Sequence, residues 1–103
     1  MRYLIKFNFP NESGTANLSD PEFGKKVQQY LTDVKAEAAF FTAVNGTRGG
    51  YIVASFDDAS SLPAVVEPLF IWLKADVEIL PVMVPEDLMK AGPSIEAALK
   101  KWG

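Results

Sequence analysis

Cysteine and histidine are both absent from this chain of 103 residues. Without cysteine there is no disulfide, no thiolate nucleophile and no thiolate metal site, and the redox compartment stays open. Without histidine, Ser-His-Asp and Cys-His catalysis, a His-ligated haem and a His-based zinc site are excluded within the chain. A carboxylate-only Mg²⁺ or Ca²⁺ site stays open, but no EF-hand spacing occurs, and neither a metal nor a cofactor is expected. Basic runs longer than two residues are missing too, and the formal net charge is −3. A nucleic-acid binder presents a basic face, so that partner is not expected. The single Arg48-Gly49-Gly50 triplet reads as part of a turn, with Arg48 solvated or drawing an anion.

Long unbroken apolar runs are lacking as well. The densest stretch, residues 65–82, carries Glu67, Lys74, Asp76 and Glu78, so no membrane span is expected. The first residues have no apolar signal core and no small-residue cleavage site, and a cytoplasmic location is expected. Three Asn-x-Ser/Thr triplets, at Asn11, Asn17 and Asn45, then read as turn chemistry.

What is present is 49% hydrophobic residues, which suits one ordered domain over residues 1–103. Tyr3, Ile5, Phe7 and Phe9 alternate with Leu4, Lys6 and Asn8, predicting a first strand over 2–9 that residues 10–14 end. Ser19 and Glu22 have capping-box spacing, with Leu18 and Phe23 at the staple positions. They introduce a helix striped by Phe23, Val27, Tyr30, Leu31 and Val34. Residues 37–44 and 51–56 read as a hairpin around the turn 45–50. A second helix carries Leu62, Val65, Val66, Leu69, Phe70 and Leu73, and Pro68 is expected to bend or interrupt it. Residues 76–84 read as a fourth strand, which Pro81 places at an edge or at a bulge. Beyond Pro85 a short helical turn is stopped by Gly92, and a last helix capped by Ser94 shows Ile95, Ala98, Leu99 and Trp102 on one side. The order β-α-β-β-α-β predicts an α+β, ferredoxin-like four-stranded antiparallel sheet with a short C-terminal helix.

In the last three strands both alternating sets are mostly apolar. Two helices cover one face only, so a second copy is expected to cover the other, giving a homodimer whose sheets enclose a barrel. Ile71 and Trp72 are further contact candidates, and an Asp at Phe41 or Ile52 is expected to split or unfold the pair.

The runs Pro68-Leu69-Phe70, Asp76-Val77-Glu78-Ile79 with Pro81, Gly50-Tyr51 and Phe56-Asp57 resemble the corresponding segments of muconolactone isomerase. A family of small uncharacterised bacterial domains shares the pattern. The resemblance implies a dimeric α+β barrel, open to assembly into larger rings. It also implies a cofactor-free proton transfer that moves a double bond in a small lactone. No acid/base pair of that enzyme falls on a matching position here.

Acid/base work would therefore rest on Asp, Glu, Lys or Tyr. Lys6 and Asn8 share a face of the first strand, with Glu37 and Glu78 as partners, either as a tuned polar spot or as ion pairs at a dimer rim. Tyr30, Tyr51 and Trp72 either line a pocket between helices and sheet or fill core. Three functions stay open: a homodimer binding a small, partly apolar metabolite; a cofactor-free isomerase; and a structural or regulatory dimer with a filled interior.

Overall fold

The computed structural model describes residues 1–103 and belongs to the α+β class. Its elements are β1 (Arg2–Phe9), α1 (Asn11–Leu18), α2 (Phe23–Asp33), β2 (Ala38–Val44), β3 (Thr47–Ser55), α3 (Leu62–Leu73), β4 (Asp76–Pro81), α4 (Pro85–Lys90) and α5 (Gly92–Trp102). The four strands form one antiparallel sheet in the order β2-β3-β1-β4, an order compatible with a ferredoxin-like plan. No helix is long and apolar enough to cross a membrane.

Strand alternation sorts the sheet into two faces. One carries Ile5, Phe7 and Phe9 of β1, with Ile52 and Ala54 of β3 beside them. These residues pack with Tyr30 of α2 and with Val65, Leu69 and Leu73 of α3, and together form the core. Ile5, Ile52 and Leu69 are fully enclosed, so truncating Leu69 to Ala costs about 3 kcal/mol. The opposite face has no helix over it. It shows Leu4, Phe40, Tyr51, Val53 and Leu80 around the polar residues Arg2, Lys6, Asn8 and Glu78. Phe41 and Ile52, expected from the sequence to probe a sheet-to-sheet contact, instead lie on the helix side; Phe40 and Leu80 occupy the bare face.

Local chemistry explains where the elements begin and end. Asn45 (φ 52°) and Gly46 (φ 82°) form a two-residue hairpin turn whose positive φ values follow the strand twist. So short a turn leaves Arg48, Gly49 and Gly50 inside β3 rather than in a loop. A Cβ on Gly49 would collide with the Phe7 carbonyl, and one on Gly50 with the Phe40 carbonyl. The strand therefore admits no side chain at either position. The expected capping box at Ser19 does not form. The Ser19 hydroxyl instead donates to the Thr15 carbonyl (3.0 Å), at the end of α1, a helix the polar run 11–18 had not announced. Asp20 accepts the Glu22 N–H (2.9 Å), and α2 starts at Phe23.

Helix α3 runs unbroken through Pro68. Pro68 cannot donate to the Ala64 carbonyl. One turn away, the buried Tyr30 hydroxyl donates to the Val65 carbonyl (2.7 Å), adding an outside donor at this weakened point. Pro81 closes β4, which pairs with β1 alone and is an edge strand.

Helices α4 and α5 bury no residue at all; α5 starts at Gly92 with Ala91 as its cap and Pro93 in its first turn, so Gly92 opens a helix rather than stopping one and Ser94 lies inside it rather than capping it. The chain measures 57 × 27 × 21 Å with a radius of gyration of 17.1 Å, against about 13 Å for a compact domain of this length. The C-terminal helices are an arm that leaves the body, with Leu88, Met89, Ile95, Leu99 and Trp102 exposed along it.

Two glycines give opposite expectations. Gly50→Ala meets backbone and is expected to destabilise by about 3 kcal/mol or more, whereas Gly24→Ala meets nothing within 4 Å and gains about 1 kcal/mol of helix propensity. Melting temperatures of the two variants check this, and a Gly50→Ala protein as stable as the parent would refute the close strand approach.

Candidate functional site

Helices α2 and α3 lie over the middle of the sheet and leave the helix-side surface of β2 open. Phe41 there is 61% exposed although it faces the helices. A cleft of about 400 Å³ results, lined by 17 residues of which 12 are hydrophobic. That size falls within the range of small-molecule sites. Its floor is Phe7, Phe9, Phe41 and Ile52 from the sheet. Its walls are Phe23, Val27, Tyr30 and Leu31 from α2, Leu69, Trp72 and Leu73 from α3, and Leu18 from the end of α1. The helical stripe that starts at Phe23 is therefore partly core and partly wall. Trp72 is held against Phe23 with ring centroids 5.5 Å apart, and Phe41 meets the Phe7 ring edge-on at 6.4 Å.

Two ionisable side chains line this cleft, Tyr30 and Arg48. Burial pushes the Tyr30 phenol up to about 12, and its proton is already given to the Val65 carbonyl. Arg48 belongs to the helix-side row of β3, opposite Phe9 of β1 and Ala43 of β2. It is the one charged residue on that side of the sheet. Its Nη1 donates to the Asn11 carbonyl (3.0 Å) and to Thr15 Oγ1 (3.0 Å), tying α1 to the sheet. Gly14 makes this docking close, since a Cβ there would come within 2.8 Å of the Phe9 ring.

The sequence-predicted residues divide between the two faces. Tyr30 and Trp72 line the cleft. Tyr51 lies on the bare face, paired across β1 and β2 with Lys6 and Phe40. Lys6, Asn8 and Glu78 border a small hollow of about 130 Å³ on that face, with Asp76 and Asn45. Lys6 Nζ is 3.9 Å from Glu78, and Asn8 donates to Thr47 Oγ1 at 3.1 Å. Glu37 lies apart from them. It accepts from Arg2 Nε (2.7 Å) and Ser55 Oγ (2.9 Å), which hold its carboxyl below the usual carboxylate range. Arg48, Phe41 and Phe23 complete the cleft without having been singled out for it. A charged residue in an otherwise apolar alternating row was the available signal for Arg48. No group of three or more carboxylates gathers to hold a metal ion.

No protein-family model matches the chain, and no curated protein matches it.

The raised phenol gives a signed expectation. A folded-state value near 12 against about 10 unfolded means that Tyr30 supports folding fully below pH 10. That support, on the order of 2 kcal/mol, is lost as pH rises from 10 toward 12. Tyr30→Phe is expected to lose about 1 kcal/mol at pH 7 with the hydrogen bond, yet to decline less than the parent across that alkaline window. Urea titrations at pH 8, 10 and 11.5 compare the two, and parallel declines would contradict a buried phenol.

Proposed function

We propose that the protein is a small-molecule-binding homodimer of the dimeric α+β barrel type, taking a small, partly apolar ligand into the cleft between sheet and helices. The observation that carries this reading is the cleft itself, about 400 Å³ and walled mainly by apolar side chains. A structural dimer with a filled interior has no use for such a space.

Binding is favoured over the isomerase chemistry that the muconolactone isomerase resemblance suggests. Proton transfer near neutrality needs a base beside the ligand. The cleft offers Tyr30, kept protonated by burial, and Arg48, whose guanidinium has five N–H donors and no acceptor. Neither accepts a proton there.

Two features support the second copy. The bare sheet face presents Phe40 (62% exposed) and Leu80 (42% exposed), the kind of apolar sheet surface that water seldom meets. The C-terminal arm presents a second apolar surface that its own chain leaves uncovered. A partner of the same sequence covers both at once, since each copy brings a bare sheet and an arm.

Binding of N-phenyl-1-naphthylamine, a neutral apolar fluorophore, tests the cleft. Enhanced fluorescence is expected from the parent. It should be lost in Val27→Trp, which fills the space, with far-UV circular dichroism unchanged. A parent without enhancement, or a Val27→Trp protein that binds as well, would remove the cleft as the site. Light scattering tests the pair: twice 11.3 kDa is expected for the parent, and 11.3 kDa for a still-folded Phe40→Asp. A parent that stays single at high concentration rejects the dimer.

A further inference from the structure

We infer that the cleft takes an organic anion, a carboxylate or similar oxyanion on an apolar body, with Arg48 receiving the charged end. The inference rests on the cleft being the binding site and adds the chemical class of its occupant. Arg48 and Thr42 line two hollows at once. One is the apolar cleft. The other is a shallow polar depression bordered by Asn11, Thr15, Thr47 and Gly46. The guanidinium therefore stands where greasy walls give way to hydroxyls, an amide and backbone. A ligand filling both would be apolar at one end and polar at the other.

The charge of that polar end follows from the pairing of Arg48. A guanidinium has five N–H donors in a planar fork. Both hydrogens of Nη1 are engaged, by Asn11 and Thr15. The three on Nε and Nη2 find no acceptor in the protein. None of the chain's six ion pairs includes Arg48, although 13 carboxylate residues are available against 10 basic ones. Filling the cleft with a neutral apolar molecule would strip water from these donors without replacing it, which is unfavourable for a charged group. An oxyanion replaces that water with a charge-assisted, two-point hydrogen bond. Nη1 is fixed by α1, so the rest of the fork is held in place before any ligand arrives.

The overall charge of −3 works against anions, so a preference for one must be local. Displacement of N-phenyl-1-naphthylamine by decanoate and by 1-decanol reads that preference directly, because the two share a chain and differ in the head group. The parent is expected to favour decanoate by about tenfold or more. Arg48→Gln should lose the preference while still binding the neutral fluorophore, and Arg48→Lys, which keeps the charge without the fork, should retain part of it. Equal displacement by both compounds from the parent, or a decanoate preference undiminished in Arg48→Gln, overturns the anion site while leaving the cleft intact. If the fluorophore fails to bind the parent, the cleft reading falls and this one with it. An Arg48→Gln protein that no longer folds shifts the comparison to Arg48→Lys, where an undiminished preference would show that the fork contributes nothing.

Discussion

The row Ile5, Phe7 and Phe9 in the middle of the sheet is the seam on which the rest of the molecule depends. It is buried because β1 is central, with β3 on one side and β4 on the other. Leu69 and Tyr30 settle over it, so α2 and α3 are centred on β1 and its neighbours rather than on the whole sheet. Strand β2, furthest from that seam, keeps an uncovered helix-side surface. The cleft is thus a consequence of where the core is anchored. Its floor is continuous with the core, which makes it a rigid wall for a ligand rather than a gap that side chains close.

Much of this arrangement was legible in the sequence wherever one periodicity dominated. Period-two alternation marked β1, and helical stripes marked α2, Tyr30 included, and α3, with Trp72 lying off its stripe. Pro81 marked an edge. What escaped were places where the same residues serve two structures. The run from Asn11 to Leu18 has no apolar stripe, yet it is helical, because Gly14 lets it lie on Phe9 and Arg48 ties it down. Ser19 looked like the start of a helix and ends one. The glycine-rich run from Asn45 to Gly50 read as a loop. Only its first two residues turn, and the other glycines serve close strand contact, a demand that composition does not distinguish from flexibility. Pro68 looked like a breaker. A helix buried along one side tolerates the missing bond because packing, not hydrogen bonding alone, holds it.

Arg48 illustrates why the site was harder to read than the fold. Assigned to a loop, it is one more solvated arginine. Assigned to β3, it falls on the helix-side row with Ile52 and Ala54, where a charge needs a reason. The difference is four residues in the start of a strand, the boundary that local pattern defines least well. Once the two-residue turn is recognised, register does the remainder: Arg48 must face Phe9 across β1.

The two faces of the sheet treat charge in opposite ways. On the bare face most charges are matched within the chain, Asp76 being the exception. Arg2 and Ser55 each donate to Glu37, and Lys6 has Glu78. Paired charges lose less than isolated ones when water is displaced, so this face is suited to being covered by protein that brings no countercharge. A second copy of the same sheet, with the same pairs already made, is such a cover. On the helix side the one charge is left open toward a cavity too apolar to satisfy it. That surface is suited to a cover that supplies the missing negative charge itself. Under the proposed assembly, then, the bare face offers mostly paired charges on an apolar sheet to a protomer, and the helix side offers one unpaired guanidinium in an apolar cleft to a ligand.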